Sequence, residues 1–513
     1  MHAQPRLSRR ALLSGSVASL ALPWVLRGAR AAPARPIGDK AWEKLAGKIT
    51  GGVLRPNDPR FVALTRPENL RYYNPPPAAG APPDPDAPFA VVRPHNAKEV
   101  TDAVLWAQDA SCPMVPRSGG HSYAGCSTIP GLVIHLGAMR QVEYDRNSAL
   151  LEVGGGALNG DVFAALGELE IDGTKGGLAI THGRCKTVGL SAYLMGGGIG
   201  LAMRDSGLGC DLVERVELVL ADGRVVTASE SENQDLFWAV RGGGGGNLGV
   251  ATRWWLRPVK AEKLIAFNAS WRSRGKEQAI FTRLVRALEA APDAMGAQMS
   301  ISATARNSSQ PNNISLIGQY RGTLDEFQSI LGSALADAKP TAVLELPYWE
   351  AQEFFEIESM PNRYQETSLF AEKLSDAFIE EAFRLFRTWP GTSAEARLTF
   401  FLMGGRVNTI RPAATAFVHR SSQWLINTIL DWTDCDSRER VRNNLRWQRR
   451  AQNTFSGILR GSGSYQNFSD PELDNHAEAY WGTNLSRLSQ AKGAVDHGSV
   501  FTPPRNQGIP QPA

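Results

Sequence analysis

Up to about residue 258, short apolar runs alternate with stretches of helical spacing. Phe89-Ala90-Val91-Val92-Arg93-Pro94 is nearly continuous in apolar residues and predicts a short buried strand. Val100, Val104, Leu105 and Ala107 then recur at helical spacing. Met114-Val115-Pro116 runs into glycines, and residues 131–136 (Gly-Leu-Val-Ile-His-Leu) predict a second buried strand. Residues 216–220 alternate, Asp222-Gly223 supplies a turn and residues 224–227 return, which predicts a β-hairpin. Beyond residue 261, amphipathic helices are expected over 325–336 and 375–386, with extended segments between them. The proline- and alanine-rich stretch at 75–88 reads as a surface loop. The fold class is therefore α+β, with a boundary near Pro258 and no internal repeat.

A chain of 513 residues is too long for one ordinary core, so at least two packed units are expected. With 42% apolar and 21% charged residues it belongs with globular proteins, neither disordered nor membrane-embedded. The first 31 residues stand apart. Ser8-Arg9-Arg10-Ala11-Leu12-Leu13 is a twin-arginine signature, an apolar stretch runs from 11 to 26, and Ala29-Arg30-Ala31 offers a cleavage site. The expected result is a periplasmic or secreted protein whose one macromolecular partner is the twin-arginine translocase. The segment holds five arginines and no acid, so its removal takes the net charge from +4 to about −1. No nucleic-acid partner and no stable membrane anchor are expected.

Five cysteines remain, Cys112, Cys126, Cys185, Cys210 and Cys435, with no zinc spacing, so no metal site is expected. Their pairing cannot be read. Three glycine-rich segments carry the chemistry instead. The first is Arg117-Ser118-Gly119-Gly120-His121-Ser122-Tyr123, where consecutive glycines let backbone N–H groups gather round an anion such as a pyrophosphate. In the second, Cys185 stands between Arg184 and Lys186, followed by Thr187-Val188-Gly189 and Gly196-Gly197-Gly198-Ile199-Gly200; the flanking cations could depress the thiol pKa. The third is Asp235-Leu236-Phe237-Trp238-Ala239-Val240-Arg241, five glycines, then Asn247-Leu248-Gly249-Val250. A nicotinamide-binding reading of 196–200 fails, because the G-x-G-x-x-G spacing and its downstream acid are missing.

The three segments in this order resemble the berberine-bridge-enzyme-like FAD-linked oxidases, within the vanillyl-alcohol-oxidase (PCMH-type) flavin fold. The end of the chain strengthens the resemblance, with Tyr465-Gln466-Asn467-Phe468-Ser469-Asp470, then Tyr480-Trp481-Gly482-Thr483-Asn484. The resemblance implies a PCMH-type FAD domain of two α/β subdomains over 45–260. A substrate domain over 261–464, an antiparallel sheet covered by helices, would follow, and residues 465–513 would return to the FAD domain. It implies FAD bound covalently through His121 and also through Cys185, although Lys186 stands where the family commonly has proline. Arg117, Ser118, Gly119, Gly120, Ser122, Gly125, Gly189, Gly196, Gly197, Gly198, Gly200, Gly249, Val250 and Asn467 would complete the cofactor site.

The same resemblance makes Tyr465 the base for a substrate hydroxyl, with Tyr123 the next choice. A free phenol titrates near 10, so the site would have to stabilise its anion. Asn427 is expected at the substrate, and Val188 marks a position that admits oxygen. Phe468 replaces a usual tyrosine, and His135 and His419 are expected to be structural. The implied reaction oxidises a substrate C–H, in an alcohol, sugar or secondary metabolite, and reoxidation by oxygen gives hydrogen peroxide. A dehydrogenase with another electron acceptor, or a flavin-binding protein without turnover, is the alternative.

Overall fold

The computed structural model describes residues 37–73, 87–272, 275–304, 313–358, 360–461, 463–505 and 507–512. The export segment and nearly all of the proline-rich stretch lie outside them. The first layer is a sheet of β1 (Val53–Leu54), β2 (Ala90–Val92), β3 (Met114–Arg117) and β4 (Leu132–His135), in the order β1-β2-β4-β3. Strands β2, β4 and β3 are parallel, and β1 is antiparallel to β2. Parallel strands need a crossover, which α1 (Ala97–Asp109) supplies between β2 and β3. Asn96 starts that helix by accepting the Glu99 N–H. Val100, Val104 and Ala107 face the core as the sequence predicts, joined by Ala103, whereas Leu105, expected with them, is 40% exposed on the other side of the helix.

A second, antiparallel sheet contains β5 (Val142–Asp145), β6 (Leu150–Gly154), β7 (Val213–Val219), β8 (Val225–Ser229) and β9 (Val250–Leu256), in the order β8-β7-β9-β6-β5. The hairpin β7–β8 turns at Asp222-Gly223, as expected. Helices α2 (Asn159–Glu168), α3 (Leu190–Met195) and α4 (Gln234–Val240) pack on this sheet through Val162, Leu194 and Phe237.

The third sheet has seven strands: β10 (Leu264–Trp271), β11 (Met295–Thr304), β12 (Asn313–Tyr320), β13 (Thr341–Leu346), β14 (Arg363–Ala371), β15 (Glu395–Leu402) and β16 (Trp424–Trp432). Its order is β13-β10-β12-β11-β15-β16-β14, antiparallel throughout. Alternation along each strand separates its two faces. On β15, Leu398, Phe400 and Leu402 enter a core shared with α5 (Glu277–Glu289), α7 (Asp376–Arg387) and α8 (Arg438–Leu459). Arg397, Thr399 and Phe401 face the other way, into a cavity. Each fully buried phenylalanine of that core contributes about 1.5–3 kcal/mol relative to exposure.

Two expectations for this half are met differently. Ser375 caps α7 by accepting the Phe378 N–H, so the helix begins where the sequence places it. The helix expected over 325–336 is instead one α turn, α6 (Leu324–Phe327), widening into a π-type turn at Gln328–Gly332. Phe327 and Leu331 still reach the core, and the widened turn ends on Gly332, a poor helix former. The chain between β15 and β16 leaves the sheet and docks on the first half of the molecule, where the Ala416 and Phe417 N–H groups donate to Trp238 O and Arg241 O. The last segment, with α9 (His476–Trp481) and α10 (Leu485–Val495), returns to the same surface, burying Tyr480, Trp481 and Leu488 among α3, α4 and β9.

Candidate functional site

A cavity of about 970 Å³ lies between the glycine-rich loops of the first half and the polar face of the seven-stranded sheet. That is the upper end of the range for small-molecule and cofactor sites. Its first wall is the loop after β3. Gly119 is required there: a Cβ would overlap Gly189 N and Thr187 O, so the loops 118–122 and 185–189 touch backbone to backbone. Gly120 has a φ of +80°, which leaves room for the Arg117 guanidinium beneath it. Arg117 is buried and donates to the carbonyls of Thr65 (3.2 Å) and Arg66 (2.6 Å), holding the loop from below. Ser122 Oγ accepts the Cys126 N–H at 2.9 Å and closes its turn.

The contact between the loops brings His121 and Cys185 together. His121 Nε2 lies 2.9 Å from Thr187 Oγ1, and Cys185 Sγ lies 3.2 Å from the same oxygen. Burial, with the Arg117 charge second, pulls the His121 pKa down to about 4, so the imidazole is neutral at pH 7 with a lone pair available. The cations flanking Cys185 turn away from it. Arg184 donates to Phe355 O and Gln298 Oε1, and Lys186 pairs with Glu353 and Glu356. The expectation that they activate the thiol directly is therefore not met. No two cysteines form a disulfide among the described residues.

The opposite wall comes from the last segment. Tyr465 is almost wholly buried, and its hydroxyl accepts from Gly198 N (3.0 Å) and Asn467 Nδ2 (3.1 Å). Burial pushes the phenol well above its ordinary range, while those two donors oppose it by favouring the anion. Asn467 Nδ2 also donates to Tyr193 O at 3.1 Å. Phe468 stacks on Tyr123 with centroids 5.6 Å apart, and Tyr465 meets Phe468 edge-on at 5.1 Å.

Several expected cofactor residues lie behind the walls. Gly196 packs on the Asn467 amide, Gly197 on Phe417 and Gly198 on the Tyr193 ring, where a Cβ would collide in each case. They let α3 and the Tyr465 segment approach. Gly125 packs on Tyr72 and its carbonyl accepts from Arg505, away from the cavity, and Val250 is buried within β9. Ser118, Gly189, Gly200, Gly249 and Val188 do line the cavity. His135 Nδ1 accepts the Gly137 N–H, and His419 stacks on Phe370 while its Nε2 donates to Tyr480 O, so both act in packing.

The sheet side holds Asn427, expected at the substrate, together with groups that the motifs do not announce. Asn427 Nδ2 donates to Glu366 Oε2 at 2.6 Å, and Asn427 Oδ1 and Thr399 Oγ1 are buried on the cavity wall without a partner among the described residues. Burial raises the Glu366 carboxyl to about 8, and Asp431 to about 7 against the pull of Arg397. Arg397 Nη1 is itself paired with Glu395 at 2.8 Å. The signal was available in the alternation of Tyr364, Glu366 and Ser368 along β14, which puts all three on one face.

The cavity fits FAD on its own terms. It has two contacting glycine loops, a neutral imidazole and a thiol converging at one point, and an aromatic and polar wall opposite. That fold and site define a flavin-dependent oxidoreductase. Residues 88–229 match the model of an FAD binding domain, and residues 464–510 match that of berberine and berberine-like proteins. The FAD-linked oxidoreductase YgaK of Bacillus subtilis is 28% identical over 477 residues, covering 88% of this chain and 96% of that protein. The carbohydrate oxidase of Microdochium nivale is 28% identical over 462 residues, covering 82% and 88%. The structure of BBE-like 1 from Physcomitrella patens superposes with a TM-score of 0.78 at 24% identity, covering 92% and 99%. The chain thus carries an FAD binding domain and a berberine-like C-terminal segment, and is similar along most of its length to FAD-linked oxidoreductases of the berberine-bridge-enzyme-like kind.

Proposed function

We propose that this protein oxidises an alcohol or sugar carbon using FAD joined covalently to His121 and Cys185, and that oxygen then takes the electrons to give hydrogen peroxide. The observation that carries the reading is the convergence of His121 and Cys185 on Thr187, in a cavity that Tyr465 faces from the other side. FAD bound there accepts two electrons and a hydrogen from the substrate carbon. The neutral His121 ring and the Cys185 thiol are the two nucleophiles able to tether it. Ser118, Gly119 and Gly120 offer backbone to its phosphates. Tyr465, held by two donors, takes the proton of the substrate hydroxyl.

The buried, unpaired oxygens of Asn427 and Thr399 favour a substrate rich in hydroxyl groups, because each would otherwise stay unsatisfied. The carbohydrate oxidase among the relatives supports the same class. Val188 on the cavity wall leaves a small residue at the place where oxygen would enter. The twin-arginine signature at Arg9 and Arg10 supports export of the folded, flavin-loaded protein to the periplasm or beyond.

The test is a panel of alcohols and oligosaccharides offered to the purified yellow protein in air, with peroxide and flavin reduction both followed. Peroxide formed in step with one substrate class supports the reading. Flavin that is reduced by a substrate without peroxide moves the assignment to a dehydrogenase. Flavin that nothing reduces ends it.

A further inference from the structure

We propose that Glu366 is a second proton acceptor in this site, receiving the hydroxyl proton of the substrate through a carboxylate that Asn427 positions. The inference rests on the oxidase reading above. Glu366 stands on the cavity face of β14, two residues before Ser368. Ser368 Oγ accepts the backbone N–H of Tyr465 at 2.9 Å, which fixes the strand against the segment bearing the phenol. Two residues along a strand span about 7 Å, so Glu366 and the Tyr465 segment share this wall of the cavity, and Tyr123 interacts with both.

The surroundings hold this carboxyl ready to change charge. Asn427, from β16, donates to one oxygen. No arginine or lysine forms an ion pair with Glu366 among the described residues, since the nearby Arg397 on β15 pairs with Glu395. The other titratable groups facing it are Asp431 on β16, Tyr364 on its own strand and Tyr123 from the glycine loop. Arg397 is the cation that faces it alongside these groups. Burial therefore dominates and raises the carboxyl to about 8, so it holds a proton at neutral pH and accepts one above that. Tyr465 titrates far higher, so as pH rises past about 8 Glu366 is the group of the two that is present as its conjugate base.

The step balances. Above about pH 8, where the carboxylate is present, the substrate O–H breaks and its proton passes to Glu366 in place of Tyr465, while the carbon-bound hydrogen and its electron pair pass to the oxidised FAD, leaving a carbonyl. Oxygen then takes the two electrons, and the proton released from Glu366 is one of the two that peroxide requires.

The experiment compares the wild type with Glu366→Gln and Glu366→Asp, all flavin-loaded, by anaerobic stopped-flow reduction across a pH series. The wild-type rate should rise through a limb near pH 8. Glu366→Gln keeps the shape of the side chain, and should lose the limb and run about 10²–10⁴-fold slower above it. Glu366→Asp should keep a limb at a reduced rate. Infrared difference spectra of the loaded protein without substrate give a second readout. A protonated carboxyl band should titrate near pH 8 in the wild type and be absent from Glu366→Gln. A limb that survives in Glu366→Gln, or an infrared band unaffected by that change, overturns the proposal and leaves the oxidase reading intact. Failure of the wild type to reduce its flavin with any alcohol overturns the oxidase reading, and this proposal with it.

Discussion

His121 and Cys185, 64 residues apart in sequence, both reach the single hydroxyl of Thr187. They can be no further from each other than the sum of those two bonds, so one edge of a planar ring can meet both. Acid-precipitated wild-type protein should keep its yellow colour. His121→Ala should keep it through Cys185, Cys185→Ala through His121, and the double change should lose it. Thr187→Val preserves bulk and removes the shared hydroxyl, and should lower the covalently bound fraction. Flavin released wholly free from denatured wild-type protein would contradict double attachment.

Tyr465→Phe removes one hydroxyl and keeps the ring against Phe468 and Phe417. Flavin loading should be unchanged by absorbance. At pH 7, below the Glu366 limb, anaerobic reduction by substrate should slow by about 10²–10⁴-fold, with little change in substrate binding. Reduction at an undiminished rate would make Tyr465 a packing residue.

How much of this was legible in the sequence depends on whether a role is local. The loops carrying His121 and Cys185 declare themselves, because close backbone approach demands glycine and glycine clusters are visible. The reason for Gly196, Gly197 and Gly198 is not, since their partners Asn467, Phe417 and Tyr193 include residues hundreds of positions away. Glu366 is silent for the same cause. Its character comes from burial beside the strands that carry Asn427 and Arg397, which only the sheet order brings next to it. Arg184 and Lys186 mislead in the opposite sense: they adjoin Cys185 in sequence but spend their charges on Gln298, Glu353 and Glu356.

Glu366 and Asp431 give the fold a pH dependence of predictable sign. Both carboxyls keep their protons in the folded protein after the unfolded chain has lost them, so folding takes up protons. Their contribution is complete below about pH 4 and is lost as pH rises through about 7 for Asp431 and about 8 for Glu366. At about 1.4 kcal/mol per unit, the loss across that window amounts to several kcal/mol. The wild-type Tm should fall between about pH 5 and pH 8, and Glu366→Gln should flatten the fall. Parallel curves for the two proteins would refute it.

Arg420, fully buried, donates both ends of its guanidinium to Asp211 at 2.8 and 2.7 Å and ties the 403–423 excursion to the flavin-binding half. Asp211→Ala strands that cation and should cost about 3–5 kcal/mol in chemical denaturation. Changing Arg420→Met together with Asp211→Leu removes both charges and should recover much of the loss. A single variant as stable as the wild type would show that the pair carries no such weight.

Replacing Arg9 and Arg10 with lysine should leave a folded, yellow precursor in the cytoplasm. Mature protein still reaching the periplasm would exclude the twin-arginine route.

The hydrogen bond from Gly198 to Tyr465 spans 267 residues of chain. A ribosome adds about 5–20 residues per second, so roughly 13–50 s separate the synthesis of Gly198 from that of the phenol that faces it. Until the last segment is made the first half lacks the wall that Tyr465 supplies, so the cavity in which a substrate would be held is the last part of the molecule to be completed.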